Sequence, residues 1–408
     1  MKIKLHYAWL AAAATMILCA SRPADDGYKL EQVVVLSRHN IRSPLTSGGS
    51  VIDSLTPPGA VWHKWSSPSG QLTHKGGISE TIMGQYFKQW LEKEGLIPQN
   101  WKPRGSEAFF YSNSLQRTIA TARYFATGLA PTADITVKYK RSKGYNLTFL
   151  PILTASTESF RREAARQREL FFNTEMKDSL EKCFRVLERV LDGARFNADD
   201  FVITDLKGRE PSMRGSFKAA LSLSDALVLQ SYEEPDLVKA AFGHDLSPED
   251  WGRIASIIAI YEDLLFCPEA VSANAGKEMV QELSKELGRK GRKFSFLCGH
   301  DSTLITLLGA IGAEPYRLEG ALEKRTPIST KLVFERYSRN DGQYIRLRLV
   351  YPSWKQLREL PAMDQDNPPC SCSIYLKGLT PNADGYYSLA DVQRRFAEAL
   401  AAGRKHQD

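Results

Sequence analysis

A four-residue apolar run, residues 33–36, leads directly into a polar and basic segment, residues 37–44. A short run of valine and leucine is typical of a strand buried on both faces, as in the parallel sheet of an α/β protein. The polar segment would then lie at the carboxyl end of the strand, where open α/β sheets bind their ligands. The sequence therefore predicts an α/β fold with a functional site at this strand end.

The polar segment places His39 between Arg38 and Arg42. Both guanidiniums stay charged and lower the pKa of the imidazole, so we expect His39 to be neutral and nucleophilic. The same guanidiniums present planar sets of N–H donors that match the oxygens of a phosphate dianion. This combination suits in-line attack of a histidine nitrogen on a bound phosphoryl group, giving a phosphohistidine that water hydrolyses.

Two further strand-to-helix turns supply the remaining groups. The apolar run 294–298 ends at Gly299, and His300 and Asp301 follow it. There an imidazole can donate to a phosphate oxygen, and a carboxyl beside bound phosphate has a raised pKa suited to a general acid. The run 108–111 is followed by a helix start with Arg117 in its first turns, where helix polarity favours an anion.

Residues 38–44 resemble the RHGxRxP signature of the histidine acid phosphatases. Together with residues 70–77, 113–122 and 299–302, they make the chain similar to the bacterial periplasmic glucose-1-phosphatases, relatives of the bacterial acid phytases. The similarity covers nearly the whole mature chain and is weakest from about residue 130 to 215. It implies a phosphoglycerate mutase-like three-layer α/β/α core with an inserted, mainly α-helical lid domain.

The resemblance also implies roles for individual residues. It makes His39 the phosphohistidine nucleophile and Asp301 the proton donor, and it suggests Glu233 as a contact to the sugar. The residues expected to bind phosphate are Arg38, Arg42, Arg117 and His300.

Two positions depart from the patterns of the wider family. Leu45 replaces the threonine usual in phytase-like relatives, which favours a small sugar phosphate over a highly charged inositol phosphate as the bound substrate. Asn40 replaces the glycine of the general signature, although the glucose-1-phosphatase branch tolerates asparagine. Asparagine accepts a positive φ more readily than most residues, which would fit a glycine position.

The mature chain is longer than one hydrophobic core usually supports, so we expect two domains. The α/β core would comprise residues 21–130 and 271–408, and a mainly helical inserted domain would comprise residues 131–270. In the second half of the core, Asp341-Gly342 between two alternating segments predicts a β-hairpin.

The N-terminus predicts export. Lys2 and Lys4 precede an apolar run from residue 8 to 20, which is long enough for a signal-peptide core and short for a membrane span. We expect residues 1–20 to be removed and the protein to be periplasmic or secreted. The alternative is a membrane-anchored lipoprotein with lipid on Cys19, although Leu18 is larger than the residue usual at that position. No later segment is apolar enough to be a transmembrane span.

The charge composition argues against nucleic acid as a partner, and the spacing of the histidines argues against a bound metal. Removing Lys2 and Lys4 leaves 52 basic and 47 acidic residues, and no basic run suggests nucleic acid binding. No histidine pair has metal-ligand spacing, so we predict neither a catalytic metal nor any other cofactor. In an oxidising compartment Cys183 could pair with Cys267, whereas we expect Cys298 to be buried and free. The disulfide connectivity and the oligomeric state stay open.

The sequence favours a histidine-type acid phosphatase acting on phosphate monoesters such as glucose 1-phosphate. A phytase-like inositol polyphosphate phosphatase is the main alternative. A phosphoglycerate mutase-like phosphotransferase would share the nucleophile, but the export signal and the His300-Asp301 pair argue against it. A non-catalytic phosphate-ester binding protein would not need the complete set of catalytic residue types.

Overall fold

The computed structural model describes residues 27–46 and 50–405. The predicted signal segment, including Cys19, lies outside these residues. Ten strands are present in this part of the chain: β1 (Lys29–Arg38), β2 (Ala108–Ser112), β3 (Val137–Tyr139), β4 (Val202–Thr204), β5 (Ser212–Arg214), β6 (Phe294–Gly299), β7 (Lys331–Arg339), β8 (Gly342–Tyr351), β9 (Cys370–Ser373) and β10 (Tyr387–Ser388).

The described residues also form twelve helices. They are α1 (Val51–Leu55), α2 (His74–Lys93), α3 (Gln116–Leu129), α4 (Glu158–Phe171), α5 (Thr174–Val190), α6 (Ser216–Glu233), α7 (Leu237–Ala240), α8 (Pro248–Phe266), α9 (Glu269–Leu287), α10 (Asp301–Ala310), α11 (Trp354–Glu359) and α12 (Leu389–Arg404). Side chains cap many of the first turns; Thr73, for example, accepts a hydrogen bond from the backbone N–H of Gly76 at the start of α2.

The main sheet has eight strands in the order β10-β8-β7-β1-β6-β2-β3, and β9 also pairs with β8. β1, β6, β2 and β3 run parallel, whereas β7 is antiparallel to β1. Arg38 pairs with Gly299, and Ser112 pairs with Cys298. Three strands therefore end level with one another at one edge of the sheet, and the residues that follow them meet there.

Helices cover both faces of the sheet. Val33 and Val35 of β1 pack with α2 and α3, whereas Val34 and Leu36 pack with α9, α10 and α12. The alternation follows from the pleat of the strand, which directs successive side chains to opposite faces. The expected three-layer α/β/α core is confirmed, as is the hairpin formed by β7 and β8.

Between β3 and α9 the chain is mainly helical. α5, α6 and α8 enclose a separate apolar cluster, and β4 and β5 form a small two-stranded sheet beside them. β3 lies after residue 130 but pairs with β2, so the main sheet extends into the range expected for the insertion. The division into a core and a lid domain, with its boundaries, stays a prediction.

Two further findings concern the cysteines and the membrane. Cys183 and Cys267 are free, so the pairing that the sequence left open is not formed. Cys183 lies near Arg253, whereas Cys267 follows the far end of α8, roughly 20 Å along the helix axis from Arg253. Cys298 is buried and free, as expected. In residues 27–46 and 50–405, no helix is long and apolar enough to cross a bilayer.

Candidate active site

The ends of β1, β2 and β6 bring three polar segments together. The backbone N–H of His39 donates to Gly299 at 3.1 Å, and that of Asn113 donates to Cys298 at 2.9 Å. The rings of His39 and His300 lie 5.4 Å apart between centroids. Gly299 is required here because a Cβ at this position would lie 2.7 Å from the Thr303 hydroxyl. The residues predicted from three separate segments therefore share one site.

His39 is only 2% exposed, and its hydrogen bonding defines the tautomer. Nδ1 lies 2.8 Å from the backbone carbonyl oxygen of Asn40, which can only accept, so Nδ1 carries the proton. The lone pair of a neutral ring is then on Nε2. Burial lowers the pKa of His39 well below its ordinary value, and the Arg117 guanidinium adds to this effect before Arg42 and Arg38 do. The expected neutral imidazole is found, although burial contributes more than the neighbouring arginines.

Arg38 is held by groups on two sides. Nη1 donates to the Glu323 carboxylate and to the Thr326 carbonyl, both at 2.5 Å, and Nη2 lies 3.1 Å from Oδ2 of Asp301. Its Nε is buried without a hydrogen-bond partner in the described part of the chain. Arg38 is thus fixed in place and retains donor capacity.

Arg42 and Arg117 complete a cluster of three guanidiniums. Nη2 of Arg42 donates to both carboxylate oxygens of Asp225, at 3.0 and 3.1 Å. Arg117 donates to the Gly70 carbonyl at 3.2 Å, and its Nε is buried with no partner among residues 27–46 and 50–405. Burial and the nearby Arg42 lower the pKa of Arg117 to about 10. Such depression in a cluster of cations indicates a site that favours an anion.

His300 and Asp301 begin α10 beside this cluster. Burial and the Arg117 guanidinium lower the pKa of His300, so its imidazole is neutral. The Asn113 side chain contacts its Nε2 at 2.7 Å. Burial alone would raise the pKa of Asp301, but the Arg38 guanidinium outweighs it and the pKa is lowered. The raised pKa expected for Asp301 beside bound phosphate is therefore not a property of the free site.

A pocket of about 550 Å³ opens above these groups. The side chains of His39, Arg42, Arg117, His300 and Asp301 line it. Leu45, which is 56% exposed, lies at the pocket and at an adjoining space of about 150 Å³. The structure thus brings together Leu45 and these five residues, and Arg38 contacts the site through Asp301.

Glu233 is not part of this pocket. The α6 residues that reach the adjoining space are Lys218, Leu221, Ser222 and Asp225. Glu233 lies eight residues after Asp225, which is roughly 12 Å further along the helix axis and about 80° around it. It lies near Lys75 instead. A contact between Glu233 and the substrate therefore stays a prediction from the family resemblance.

The structure adds functional candidates that the sequence argument missed. Asp225 and Glu323 hold Arg42 and Arg38, and Glu262 lines the adjoining space while only 5% exposed. Lys218, Ser222 and Asp225 recur at helical spacing within an apolar helix, a pattern that could have indicated a polar stripe facing the site. Glu323 lies in a loop without periodicity, so no local signal marked it.

Glu262 has a distinctive environment. The described residues give its carboxyl no hydrogen bond, and burial together with the Asp301 carboxylate raises its pKa well above the ordinary value. A neutral carboxyl of this kind can donate as well as accept a hydrogen bond. It therefore offers a polar contact to a hydroxyl group in the adjoining space.

The described residues contain no cluster of three or more His, Cys, Asp or Glu side chains arranged to hold a metal ion. The pocket lining includes the guanidiniums of Arg42 and Arg117 and the imidazoles of His39 and His300. These are groups that bind phosphate oxygens directly.

Comparison with known proteins identifies the family of this chain. Residues 29–183 match the model of the histidine phosphatase superfamily, branch 2. The chain is 33% identical over 403 residues to the glucose-1-phosphatase of Salmonella typhimurium, covering 93% of this chain and 95% of that protein. It is 31% identical over 420 residues to the glucose-1-phosphatase of Providencia rettgeri, covering 98% of this chain and 100% of that protein.

A solved structure shares the fold. The apo form of Hafnia alvei phytase superimposes with a TM-score of 0.83 at 22% identity, covering 93% of this chain and 99% of that chain. At this identity the likeness concerns the fold alone.

Proposed function

Because this chain belongs to branch 2 of the histidine phosphatase superfamily, we propose that it hydrolyses sugar phosphates such as glucose 1-phosphate through a phosphohistidine at His39. The observation that carries this proposal is the buried, neutral imidazole of His39, with Nε2 free and three guanidiniums around it. The chain is a histidine acid phosphatase by family, and the glucose-1-phosphatases are relatives over most of its length.

The first chemical step transfers the phosphoryl group to the enzyme. Nε2 of His39 attacks phosphorus, the bond from phosphorus to the ester oxygen breaks, and Asp301 donates a proton to the departing alkoxide. In the second step water attacks the phosphohistidine, Asp301 accepts a proton from that water, and the nitrogen–phosphorus bond breaks. Inorganic phosphate leaves, and both side chains return to their starting states.

Charge stabilisation in both steps falls to the groups around His39. Arg38, Arg42 and Arg117 would bind the phosphoryl oxygens. His300 would donate one further hydrogen bond to them, in the tautomer whose N–H faces the ligand. The unpartnered Nε atoms of Arg38 and Arg117 support this assignment. No metal ion is required in this scheme, so we expect EDTA to leave the rate unchanged.

The pocket favours a small, uncharged leaving group. The adjoining space of about 150 Å³ combines Leu221, Ile258 and Phe266 with the carboxyls of Asp225 and Glu262. Sugar hydroxyls can donate to these carboxyls, and of the two cations at this space, Arg42 and Lys218, Arg42 is already paired with Asp225. Leu45 adds apolar surface at the entrance. A phytase-like activity on inositol polyphosphates is the alternative.

We further propose that the protein is periplasmic or secreted after removal of residues 1–20. The family resemblance and the short basic and apolar N-terminal pattern support export. Cell fractionation with and without residues 1–20 tests this proposal, and labelling with a radioactive fatty acid distinguishes cleavage from lipidation at Cys19. Retention of the full-length protein in the cytosol would contradict it.

Substrate assays on the purified protein test the proposed function. We expect the highest kcat/KM for glucose 1-phosphate among glucose 1-phosphate, inositol hexakisphosphate and p-nitrophenyl phosphate. His39→Ala should abolish turnover of all three while leaving thermal unfolding close to that of the wild type. Near-native activity in this variant would rule out the nucleophile, and a preference for inositol hexakisphosphate would favour the alternative.

A further inference from the structure

The nucleophile is oriented by a residue that is itself held on every side. Asn40 is fully buried, and its carbonyl oxygen accepts the Nδ1 proton of His39 at 2.8 Å. Its backbone N–H donates to the Thr121 hydroxyl at 3.1 Å. Its side-chain amide donates to Oε2 of Glu80 at 2.8 Å and to the Ser79 hydroxyl at 3.2 Å. The orientation of the Asn40 carbonyl therefore depends on partners in α2 and α3.

Backbone conformation does not explain the asparagine. Asn40 is absent from the residues with positive φ, which corrects the expectation that it occupies a glycine-like conformation. A residue with ordinary φ needs no special side chain for its backbone. The reason for asparagine at this position must lie in the hydrogen bonds of its side chain.

Glu80 is the centre of that side-chain network. Its Oε2 accepts from the Asn40 amide, from the Ser329 hydroxyl at 2.9 Å and from Nζ of Lys331 at 3.1 Å, while Oε1 lies 2.9 Å from the same Nζ. Glu80 and Lys331 are both 0% exposed. The backbone N–H of Ser329 also donates to the His39 carbonyl at 3.3 Å. Glu80 is thus linked to the nucleophile segment twice: directly through the Asn40 side chain, and through Ser329 to the backbone carbonyl of His39.

A fully buried ion pair adds little net stability to a fold, because burying the charges costs free energy. Removing two charges from water costs several kcal/mol per ion, and apolar replacements of similar volume are often neutral or stabilising. Lys331 also lies 5.9 Å from the centres of the Phe125 and Phe296 rings, a space that an apolar side chain could fill. The position that the pair gives to Asn40 explains its presence better than a contribution to folding stability does.

We propose that Glu80, balanced by Lys331, is a positioning residue that fixes Asn40 and thereby holds His39 in the tautomer that leaves Nε2 free to attack phosphorus. Glu80 does not touch the substrate pocket and acts through Asn40. This inference rests on the proposed phosphohistidine function. Partners that orient an imidazole in this indirect way typically contribute about 10–100-fold to activity.

A matched pair of double variants separates positioning from charge. Glu80→Gln with Lys331→Met removes both charges but keeps an oxygen that accepts from the Asn40 amide. Glu80→Leu with Lys331→Met is equally uncharged but leaves that amide without its acceptor. We expect the first variant to keep kcat within about threefold of the wild type, and the second to lose at least about tenfold in kcat with KM changed by less than about threefold.

The outcomes are decided by three measurements on the full chain: kcat, KM for glucose 1-phosphate, and the rate at which the His39 peptide gains phosphate after rapid mixing and a denaturing quench. Equal kcat values in the two double variants would overturn the proposal, whether both are high or both are low. Asn40→Ala removes the amide donor together with Oδ1, which accepts from the backbone N–H of Ile41 at 2.8 Å, and should lose at least as much kcat. If Glu80→Leu with Lys331→Met does not fold, the result for Asn40→Ala decides.

The wild-type measurement keeps the two proposals apart. If the wild-type His39 peptide never gains phosphate, the proposed function itself fails. If it does, and Asn40→Ala and the leucine-containing variant gain phosphate at the wild-type rate, only the positioning role of Glu80 is wrong.

Discussion

Arg38 and Asp301 form an ion pair across the catalytic site, with Nη2 of the arginine 3.1 Å from Oδ2 of the carboxylate. The Arg38 guanidinium outweighs the effect of burial and keeps the pKa of Asp301 below its ordinary value. A phosphate dianion bound to Arg38 adds negative charge next to Asp301 and so raises that pKa. We infer that the proposed acid acquires its proton only when the site is occupied.

Asp301→Asn should slow the hydrolysis of a substrate more, the more its leaving oxygen needs a proton. Asparagine keeps the size of the side chain but has no acidic proton for the leaving oxygen. General acid catalysis typically contributes about 10²–10⁴-fold, so hydrolysis of glucose 1-phosphate should lose far more rate than hydrolysis of p-nitrophenyl phosphate. The measurement is kcat for both substrates in the variant and the wild type. Equal losses would remove Asp301 from the role of acid.

Substitutions of two acidic residues of α6 should change KM for glucose 1-phosphate to different extents. Asp225 holds the Arg42 guanidinium through two hydrogen bonds, whereas Glu233 lies near Lys75 outside the pocket. Asp225→Asn should raise KM for glucose 1-phosphate by about tenfold, because charge-assisted hydrogen bonds of about 1.5–3 kcal/mol orient Arg42. Glu233→Gln, the matched control on the same helix, should change KM by less than about twofold. A larger effect from Glu233→Gln would restore it as a substrate contact.

The sequence predicted those parts of the site that follow strands. His39 and His300 come directly after β1 and β6, and Arg117 lies in the helix that follows β2. The ends of these parallel strands meet because the pairing register aligns them. The apolar run of β1 predicted an α/β fold, since residues buried on both faces of a sheet require helices on both sides, whereas the three-layer core was implied by the family resemblance.

The remaining groups could not be predicted in this way. Glu323 and Asp225 reach the arginines from a loop and from a helix outside the sheet, and their distance from the site depends on how the helical region packs. The lowered pKa of Asp301 likewise depends on one ion pair with Arg38, whose distance no sequence pattern specifies. A resemblance in α6 fixes the order of residues but not the face on which each one lies, so the contact expected of Glu233 stays a prediction.

Acid should destabilise the folded protein through its two active-site histidines. Burial lowers the pKa values of His39 and His300, so both imidazoles stay neutral in the folded state while the unfolded chain protonates them below about pH 6.5. The unfolded state then binds more protons, and stability is lost as the pH falls from about 6.5. Each imidazole contributes a slope of about 1.4 kcal/mol per pH unit.

Urea unfolding between pH 7 and pH 4 in phosphate-free buffer measures this effect. The variant with His39→Asn and His300→Asn should show a shallower loss of unfolding free energy on acidification than the wild type. His74→Asn, at an exposed histidine, is the matched control. Parallel slopes for the wild type and the double variant would show that these imidazoles do not remain neutral in the fold.

The alkaline limit of kcat should lie at higher pH than that of kcat/KM. The kcat/KM profile reports the free enzyme, in which Arg38 lowers the pKa of Asp301, whereas kcat reports the complex, in which bound phosphate raises it. The acidic limit should lie low in both profiles because His39 loses its proton well below its ordinary pKa.

We would measure hydrolysis of glucose 1-phosphate from pH 3 to pH 8 and correct kcat/KM for the ionisation of the substrate. Asp301→Asn, compared with the wild type on the same substrate, should lose the alkaline limit in both profiles because no proton on residue 301 remains to titrate. Coincident alkaline limits in the wild type would mean that phosphate does not restore the proton. The acid would then have to be sought among other carboxyls with a raised pKa, such as Glu210, which lines the pocket, and Glu262, which lines the adjoining space.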